Sequence, residues 1–178
     1  MTLGRARPPT SLRAVIGLGS NLGDRLTHLQ TAAHRIARVC HVERASRVYE
    51  TAPVGGPPQG AFYNAALLVT YAGEPLDLLD ALQGIEAGLG RHRGPDDVRW
   101  GPRTIDLDLL WIVDLAMESD RLVVPHPHLT ERAFALRPLV DVEPDAIDPI
   151  SQLPYTRLFD EEAARLKPLA GVDLFGAS

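Results

Sequence analysis

Hydrophobic positions along the chain repeat every second residue in some segments and every third or fourth in others. The first period is typical of β-strands and the second of amphipathic helices. Pro75 suits the first position of a helix, and Asp77 suits its positively polarised first turn. In chain order the pattern predicts a strand over 14–19, a helix from 23–24 to about 39, a strand over roughly 42–51, a Pro- and Gly-rich loop over 52–60, a strand over 62–71, a helix from 75 to 90 and a strand over 104–112.

This β-α-β-β-α-β order predicts an α+β fold, a ferredoxin-like sandwich with an antiparallel sheet and helices packed on one face. Additional C-terminal elements are expected after it. They are a short strand over 122–124, a short helix over 129–136 that ends before Pro138, and a helix around 160–166. The length predicts one domain over 1–178, with 1–13 as an N-terminal extension and 150–178 as a tail of open role.

Composition excludes several classes of protein. The only cysteine, Cys40, lies in a helical apolar pattern, so disulfide scaffolds and cysteine-based zinc sites are excluded. No apolar run has the length of a signal peptide or of a membrane span. We therefore expect a cytoplasmic protein with no membrane partner.

Charge is distributed unevenly along the chain. The net charge of −5 argues against a nucleic-acid-binding surface, yet residues 91–103 hold four arginines and two aspartates. Asp106 and Asp108 follow directly. One residue separates them, so in a strand both point to the same face, about 7 Å apart, and suit a pair of Mg²⁺ ions about 3.5–4 Å apart. Since guanidinium groups suit phosphate oxygens, this segment predicts chemistry on a polyphosphate.

Simpler interpretations remain open for these charges. Alternating acidic residues are common on solvated edge strands, and Arg103 would then be only their salt-bridge partner. Arg91 and Arg93 follow a predicted helix end, where the helix dipole by itself favours cations.

Other candidate residues have alternatives of the same kind. His126 and His128 resemble a metal pair, but no third ligand is close in sequence, so a hydrogen-bonding histidine is favoured. Asn64 lies inside a predicted strand and needs a partner for its amide. Trp100 is either packed in its loop or a mobile lid.

The glycine-rich segment 17–23 joins the first strand to the first helix. Leu22 stands where a dinucleotide-binding turn has its third glycine. We therefore expect a tight turn capped by Ser20 or Asn21.

Several short motifs occur in a fixed order over about residues 14–145. They are Gly17-Leu18-Gly19-Ser20-Asn21-Leu22-Gly23, Tyr49-Glu50-Thr51-Ala52-Pro53, Phe62-Tyr63-Asn64-Ala65-Ala66, Gly90-Arg91-His92-Arg93, Arg99-Trp100-Gly101-Pro102-Arg103-Thr104-Ile105-Asp106-Leu107-Asp108, and Pro125-His126-Pro127-His128 with Arg132-Ala133-Phe134. Together they resemble the 6-hydroxymethyl-7,8-dihydropterin pyrophosphokinase family of folate biosynthesis. The resemblance implies transfer of pyrophosphate from ATP to the hydroxymethyl oxygen of the pterin, with release of AMP.

The resemblance also implies roles for individual residues. Asp106 and Asp108 match ligands of two Mg²⁺ ions, and Arg91, Arg93 and Arg103 match catalytic, phosphate-contacting arginines. The expected partners are ATP and the pterin, with no nucleic acid, and a monomer is expected. Expected ATP contacts are Gln83, Glu86, Arg91, Arg93, His126 and Arg132; expected pterin contacts are Thr51, Pro53, Val54, Phe62, Asn64, Trp100 and Phe134.

Two rival functions use the same features. A Mg²⁺-dependent phosphohydrolase or nucleotidyltransferase would share the acidic pair but give other products. A ferredoxin-like RNA-binding module would use aromatic side chains on the sheet and a basic surface, which the acidic net charge disfavours.

Overall fold

Two mostly buried strands, Leu12–Ser20 and Phe62–Tyr71, lie side by side at the centre of an antiparallel sheet. The computed structural model describes residues 11–91, 101–159 and 161–176. The strands are β1 (Leu12–Ser20), β2 (His41–Ala45), β3 (Tyr49–Thr51), β4 (Phe62–Tyr71), β5 (Asp106–Ile112), β6 (Met117–Glu118) and β7 (Val123–Val124); the α-helices are α1 (Arg25–Ile36), α2 (Pro75–Gly88), α3 (Ala133–Val142) and α4 (Glu161–Arg165), with 3₁₀ turns at Leu129–Glu131 and Tyr155–Arg157.

The strand order of the main sheet is β2-β4-β1-β5, with β3 also paired to β4, and every pairing is antiparallel. Strands β1 and β4 pair along their whole length, from Leu12 opposite Tyr71 to Ser20 opposite Tyr63. This order and the two crossover helices confirm the predicted α+β sandwich. Strands β6 and β7 form a separate two-stranded sheet.

Helices cover both faces of the sheet, whereas the sequence pattern predicted one face only. Helices α1 and α2 cover a core that contains Ile16 and Leu67. On the opposite face α3 packs against β4 and β1, and its Leu136 and Leu139 share a second core with Val15. This face is largely apolar as well, so it needs a cover to exclude water.

Two predicted boundaries are wrong for identifiable reasons. The strand predicted over 42–51 is divided into β2 and β3 at Ser46, whose backbone and hydroxyl both bond Ala66 of β4. Pro138 lies inside α3 instead of after it. Loss of its backbone N–H costs about 3 kcal/mol in a helix, and burial of α3 against the sheet offsets that cost.

The other predicted C-terminal elements are confirmed. The expected short strand is β7, and the helix expected around 160–166 is α4. Within the described residues, no helix is both long and apolar enough to cross a membrane.

Candidate active site

Glycines of β1 separate the acidic strand from the strand that carries Asn64. Gly19 pairs with Asp106 on one side and with Asn64 on the other, and Gly17 pairs with Asp108. A Cβ atom at Gly19 would lie 3.3 Å from Asn64 Oδ1 and 3.9 Å from Asp106 Cβ. The missing side chain therefore keeps open the space between the carboxylates and the amide.

A cavity of about 80 Å³ lies at this end of the sheet, on the face covered by α3. It brings together residues that are far apart in the sequence and that the resemblance assigned to ring, phosphate and metal binding. Its lining consists of Thr51, Ala52, Val54, Gln59, Phe62, Asn64, Arg103, Asp106, Asp108, Arg132 and Phe134.

Several predicted residues do not line the cavity. Pro53 is half-buried in the loop after β3, and Gln83 is half-buried on α2. Glu86 is buried under β5 and is not open to the cavity. Arg93 and Trp100 lie outside the described residues.

The Asn64 side chain has the partner that its place in a strand requires. It is 5% exposed, and its Nδ2 donates a hydrogen bond to Thr51 Oγ1 at 2.8 Å. This bond fixes the orientation of the amide. Phe62 and Phe134 contribute aromatic surface to the same cavity, so this side is neutral and preformed.

The opposite side of the cavity is highly charged. Asp106 forms ion pairs with Arg91 and with Arg103, whose Nη1 lies 2.6 Å from Asp106 Oδ2. Arg91 also pairs with Glu86, and Glu86 Oε1 accepts the Leu107 N–H at 2.8 Å. In the structure Arg103 is therefore a salt-bridge partner of Asp106, as the simpler interpretation predicts.

The carboxyl group of Asp108 has a pKa above its ordinary value. Burial first, then the negative charges of Asp106 and Glu86, raise its pKa to about 7. Such a group disfavours its own ionised form unless a cation is close. The arrangement therefore fits a divalent ion between Asp106 and Asp108.

The donor set also indicates which cation fits. Within the described parts of the chain, no cluster of three or more His, Cys, Asp or Glu side chains forms a closed metal site. Two carboxylates that leave the other positions to phosphate oxygens and water are the usual protein contribution to a Mg²⁺ site.

Two residues before α3 add groups that suit an anion. Arg132 is the N-cap of α3, with its guanidinium carbon 5.8 Å from the centre of the Phe134 ring. A cation at a helix N-terminus is unfavourable for the helix itself, so helix stability does not explain Arg132.

His126 is held as a neutral hydrogen-bond donor. Burial first, then the charge of Arg132, lowers its pKa to about 4. Its Nδ1 accepts the His128 N–H at 3.2 Å, which assigns the remaining proton to Nε2. His128 instead pairs with Glu131 at the surface, 3.0 Å away.

The sequence analysis missed the roles of the residues before α1. The cap of α1 is Asp24, whose carboxylate accepts the Thr27 N–H at 3.0 Å, so the predicted cap at Ser20 or Asn21 is wrong. Asn21 instead bonds the segments of Arg103 and Gly60. A polar residue directly after a glycine-rich strand was the only signal for this role.

The chain is similar to a known protein family and to several known proteins. The family model described as 7,8-dihydro-6-hydroxymethylpterin-pyrophosphokinase (HPPK) matches residues 15–144. A Bacillus subtilis (strain 168) protein named 2-amino-4-hydroxy-6-hydroxymethyldihydropteridine pyrophosphokinase is 41% identical over 166 residues, which cover 91% of this chain and 95% of that protein. A Pseudomonas aeruginosa protein of the same name is 42% identical over 135 residues, 75% of this chain and 82% of that protein.

A solved structure supports the fold. The crystal structure of Plasmodium falciparum wild-type HPPK-DHPS with pterin and p-hydroxybenzoate superimposes with a TM-score of 0.67 at 18% identity. The match covers 87% of this chain and 44% of that longer chain.

Proposed function

Because this chain belongs to the 7,8-dihydro-6-hydroxymethylpterin-pyrophosphokinase family, we propose that the cavity beside Gly19 is where it transfers pyrophosphate from ATP to the pterin. The pairing of Gly19 with Asp106 on one side and Asn64 on the other carries the proposal. This pairing would put the phosphate and metal site directly beside a site for a flat, neutral ring.

Asp106 and Asp108 would hold Mg²⁺, and two ions are proposed. Bound Mg²⁺ neutralises the triphosphate and stabilises negative charge at the reacting oxygens. Of the described residues, these two carboxylates would be the ligands, and ATP and water would complete the coordination.

Arginines on both sides of the acidic pair would bind the ATP phosphates. Arg103 lines the cavity, and Arg91 is close enough to contact Asp106, so both can exchange a carboxylate partner for a phosphate oxygen. Arg132 approaches from α3, and Arg93 is proposed to act from the loop outside the described residues. His126 would donate from Nε2.

Two residues of α2 complete the proposed nucleotide side. Gln83 is proposed to contact the nucleotide directly. Glu86 would instead position Arg91 and the start of β5, because it is 2% exposed and bonds both of them.

Asn64 would recognise the hydrogen-bonding edge of the pterin, with Phe62 and Phe134 against the faces of the ring. The backbone around Thr51 would complete this pocket, together with Pro53 and Val54. Trp100, which lies outside the described residues, is proposed to close over the substrates.

Catalysis in this arrangement depends on positioning and electrostatics. The hydroxymethyl oxygen forms a bond to the β-phosphorus and loses its proton. The bond between that phosphorus and the oxygen bridging to the α-phosphate breaks, and AMP leaves. The arginines stabilise the charge that develops on the phosphoryl oxygens.

The experiment that tests this proposal is product analysis with and without the pterin. The expected products are AMP and the pterin diphosphate, formed only when both substrates and Mg²⁺ are present. Release of phosphate from ATP without the acceptor would indicate the rival phosphohydrolase and contradict the proposal.

We also propose that the enzyme is a cytoplasmic monomer with one domain over 1–178 that binds no nucleic acid. The monomer is supported by the cavity, whose described lining combines strands of the sheet, the loop after β3, the segment before β5 and the start of α3 in one chain. Light scattering after size exclusion should give the mass of one chain, 19.4 kDa. Salt-sensitive RNA affinity would revive the binding-module alternative.

A further inference from the structure

A polar cluster of Tyr49, Arg137 and Asp141 joins helix α3 to strand β3 next to the cavity. Tyr49 is fully buried, and its hydroxyl donates a hydrogen bond to Asp141 Oδ2 at 2.5 Å. Arg137 Nε donates to the same hydroxyl oxygen at 3.2 Å, and Arg137 Nη2 lies 3.4 Å from Asp141 Oδ1. Arg47, in the segment before β3, also pairs with Asp141, at 3.2 Å. Strand and helix are therefore connected through polar groups as well as through the apolar core.

On the strand side, the Tyr49 cluster adjoins the residues that are proposed to recognise the pterin. Tyr49 lies directly opposite Asn64 in the register of β3 and β4. Residues in opposite positions of an antiparallel pair have their side chains on the same face, about 5 Å apart. Thr51, which orients the Asn64 amide, is two residues further along β3 and therefore shares that face. A displacement of Tyr49 would change the position of both Thr51 and Asn64.

On the helix side, the Tyr49 cluster shares one face of α3 with Phe134. Phe134, Arg137 and Asp141 follow each other at spacings of three and four residues, which puts them on one face of the helix. Arg137 is less than one helical turn from Phe134, because a turn contains about 3.6 residues. Phe134 and Asn64 both line the cavity. The bonds between Tyr49 and α3 therefore fix the position of Phe134 relative to Asn64.

Stability alone does not explain these bonds. A buried carboxylate and its partners lose water on folding, and apolar side chains of the same shape are often as stable. Apolar packing is non-directional, so by itself it does not fix how far along the sheet a helix lies. Hydrogen bonds to a charged group depend strongly on distance and angle. The Tyr49 cluster is therefore better suited to fixing the position of α3 than to increasing stability.

We propose that Tyr49 is a positioning residue for pterin binding, which acts through Arg137 and Asp141 on the position of Phe134 relative to Asn64. In the proposed function the ring stacks on Phe134 and hydrogen-bonds Asn64 at the same time. A displaced helix would weaken one of these two contacts, because hydrogen bonds weaken steeply when they lengthen or bend. This inference deepens the proposed function and rests on it, because it takes this side of the cavity as the pterin site.

The test is calorimetry on the full chain with Tyr49→Phe, Asp141→Ala, the double variant and a control, Tyr155→Phe. Tyr155 is also buried, and its hydroxyl lies 3.5 Å from Asp148 Oδ1. Its ring belongs to the same core as α3 but does not line the cavity. The ligands are a non-hydrolysable ATP analogue with Mg²⁺, and the pterin titrated after that analogue is bound. All titrations are made well below the Tm of each variant, so that every molecule is folded.

We expect Tyr49→Phe to raise the pterin Kd about fivefold and to change the Kd of the analogue less than about twofold. The analogue is less sensitive because the proposed metal ligands lie on β5, which β1 separates from β4 and β3. Asp141→Ala should raise the pterin Kd by at least as much. The double variant should lose no more than Asp141→Ala alone, because both residues act through one connection. Tyr155→Phe should keep both native Kd values.

A lower Tm with native pterin affinity in Tyr49→Phe would show that the hydroxyl has only a structural role, and it would overturn the proposal. Equal losses for the two ligands, or the same loss in Tyr155→Phe, would also overturn it, because either result indicates a general disturbance of the core. Losses that multiply in the double variant would do the same. If Tyr49→Phe does not fold, Asp141→Ala decides by the same criteria. Failure of the native protein to form AMP with the pterin would instead contradict the proposed function, before any variant is compared.

Discussion

The two sides of the cavity differ in the charge and the partners of their side chains. On the neutral side, Asn64 is buried, and Thr51 already holds its amide. On the charged side, Arg91 and Arg103 pair with Asp106, and the half-buried Asp108 has the carboxylates of Asp106 and Glu86 as neighbours. In the proposed function, a ring would enter the first side without rearrangement, whereas phosphate and metal would replace existing ion pairs on the second.

This difference indicates what each side would contribute, substrate binding on one side and stabilisation of the reacting charge on the other. The neutral side provides shape and hydrogen bonds for binding. The charged side contains arginines, which can stabilise the negative charge that develops on the reacting phosphoryl group. Substitutions on the two sides should therefore affect different kinetic constants.

The largest expected effect is at Asp108. Asp108→Asn removes a proposed Mg²⁺ ligand with little change in volume, and kcat should fall on the order of 1,000-fold. The Tm without Mg²⁺ should stay the same or rise at pH 8, because a crowded negative charge is lost. Steady-state kinetics and calorimetry check both. A kcat within tenfold of the native value would show that Asp108 is not a Mg²⁺ ligand needed for the reaction.

The next effect is at Arg103. Arg103→Ala should lower kcat about 100-fold, because it removes a cation from the proposed phosphate contact. Arg103→Lys is the matched control: it keeps the charge but lacks the planar fork, so its loss should be intermediate. If lysine and alanine gave equal, small losses, Arg103 would be only the partner of Asp106.

A smaller and more selective effect is expected on the neutral side. Asn64→Ala should raise the pterin Kd roughly 10- to 100-fold, because ring donors and acceptors lose their partners. The Kd of an ATP analogue should change less than about threefold, since Asn64 is on the pterin side. Thr51→Val, which removes only the hydroxyl that orients Asn64, should give a weaker loss of the same kind. Calorimetry that showed equal losses for both ligands would contradict the two-sided site.

The smallest effect concerns His126 and acid stability. Its pKa is lowered to about 4 in the fold, below the ordinary value of 6.5, so the unfolded chain binds a proton more readily. Stability from this group is complete above pH 6.5 and declines as the pH falls toward 4. His126→Gln should therefore make the loss of stability over this pH interval shallower. Denaturant unfolding at several pH values measures the slope, and an unchanged slope would show that His126 is not held neutral.

The sequence was most informative where local pattern and chemistry coincide. The segment from Arg103 to Asp108 combines a strand period with alternating acids, and both features are visible without a fold. The order of elements also predicted the sheet, because antiparallel pairing follows from short connections and two crossover helices.

Features that depend on distant partners could not be predicted in this way. Asn21 bonds Arg103, 82 positions away in the sequence, and nothing local shows that contact. Gly19 leaves space between Asp106 and Asn64, and this role can be recognised only from the register of β1 against both neighbouring strands. The helix was predicted to end before Pro138 because the sequence shows the unfavourable effect of proline in a helix but not the burial of α3 that offsets it.

The central claim is that Asp106 and Asp108 hold the divalent ions that bring ATP into reaction. Titration of Mn²⁺, followed by electron paramagnetic resonance in the presence of a non-hydrolysable ATP analogue, tests it most directly. We expect two ions per native chain and the loss of at least one of them in Asp106→Asn and in Asp108→Asn. Native stoichiometry and affinity in both variants would contradict it.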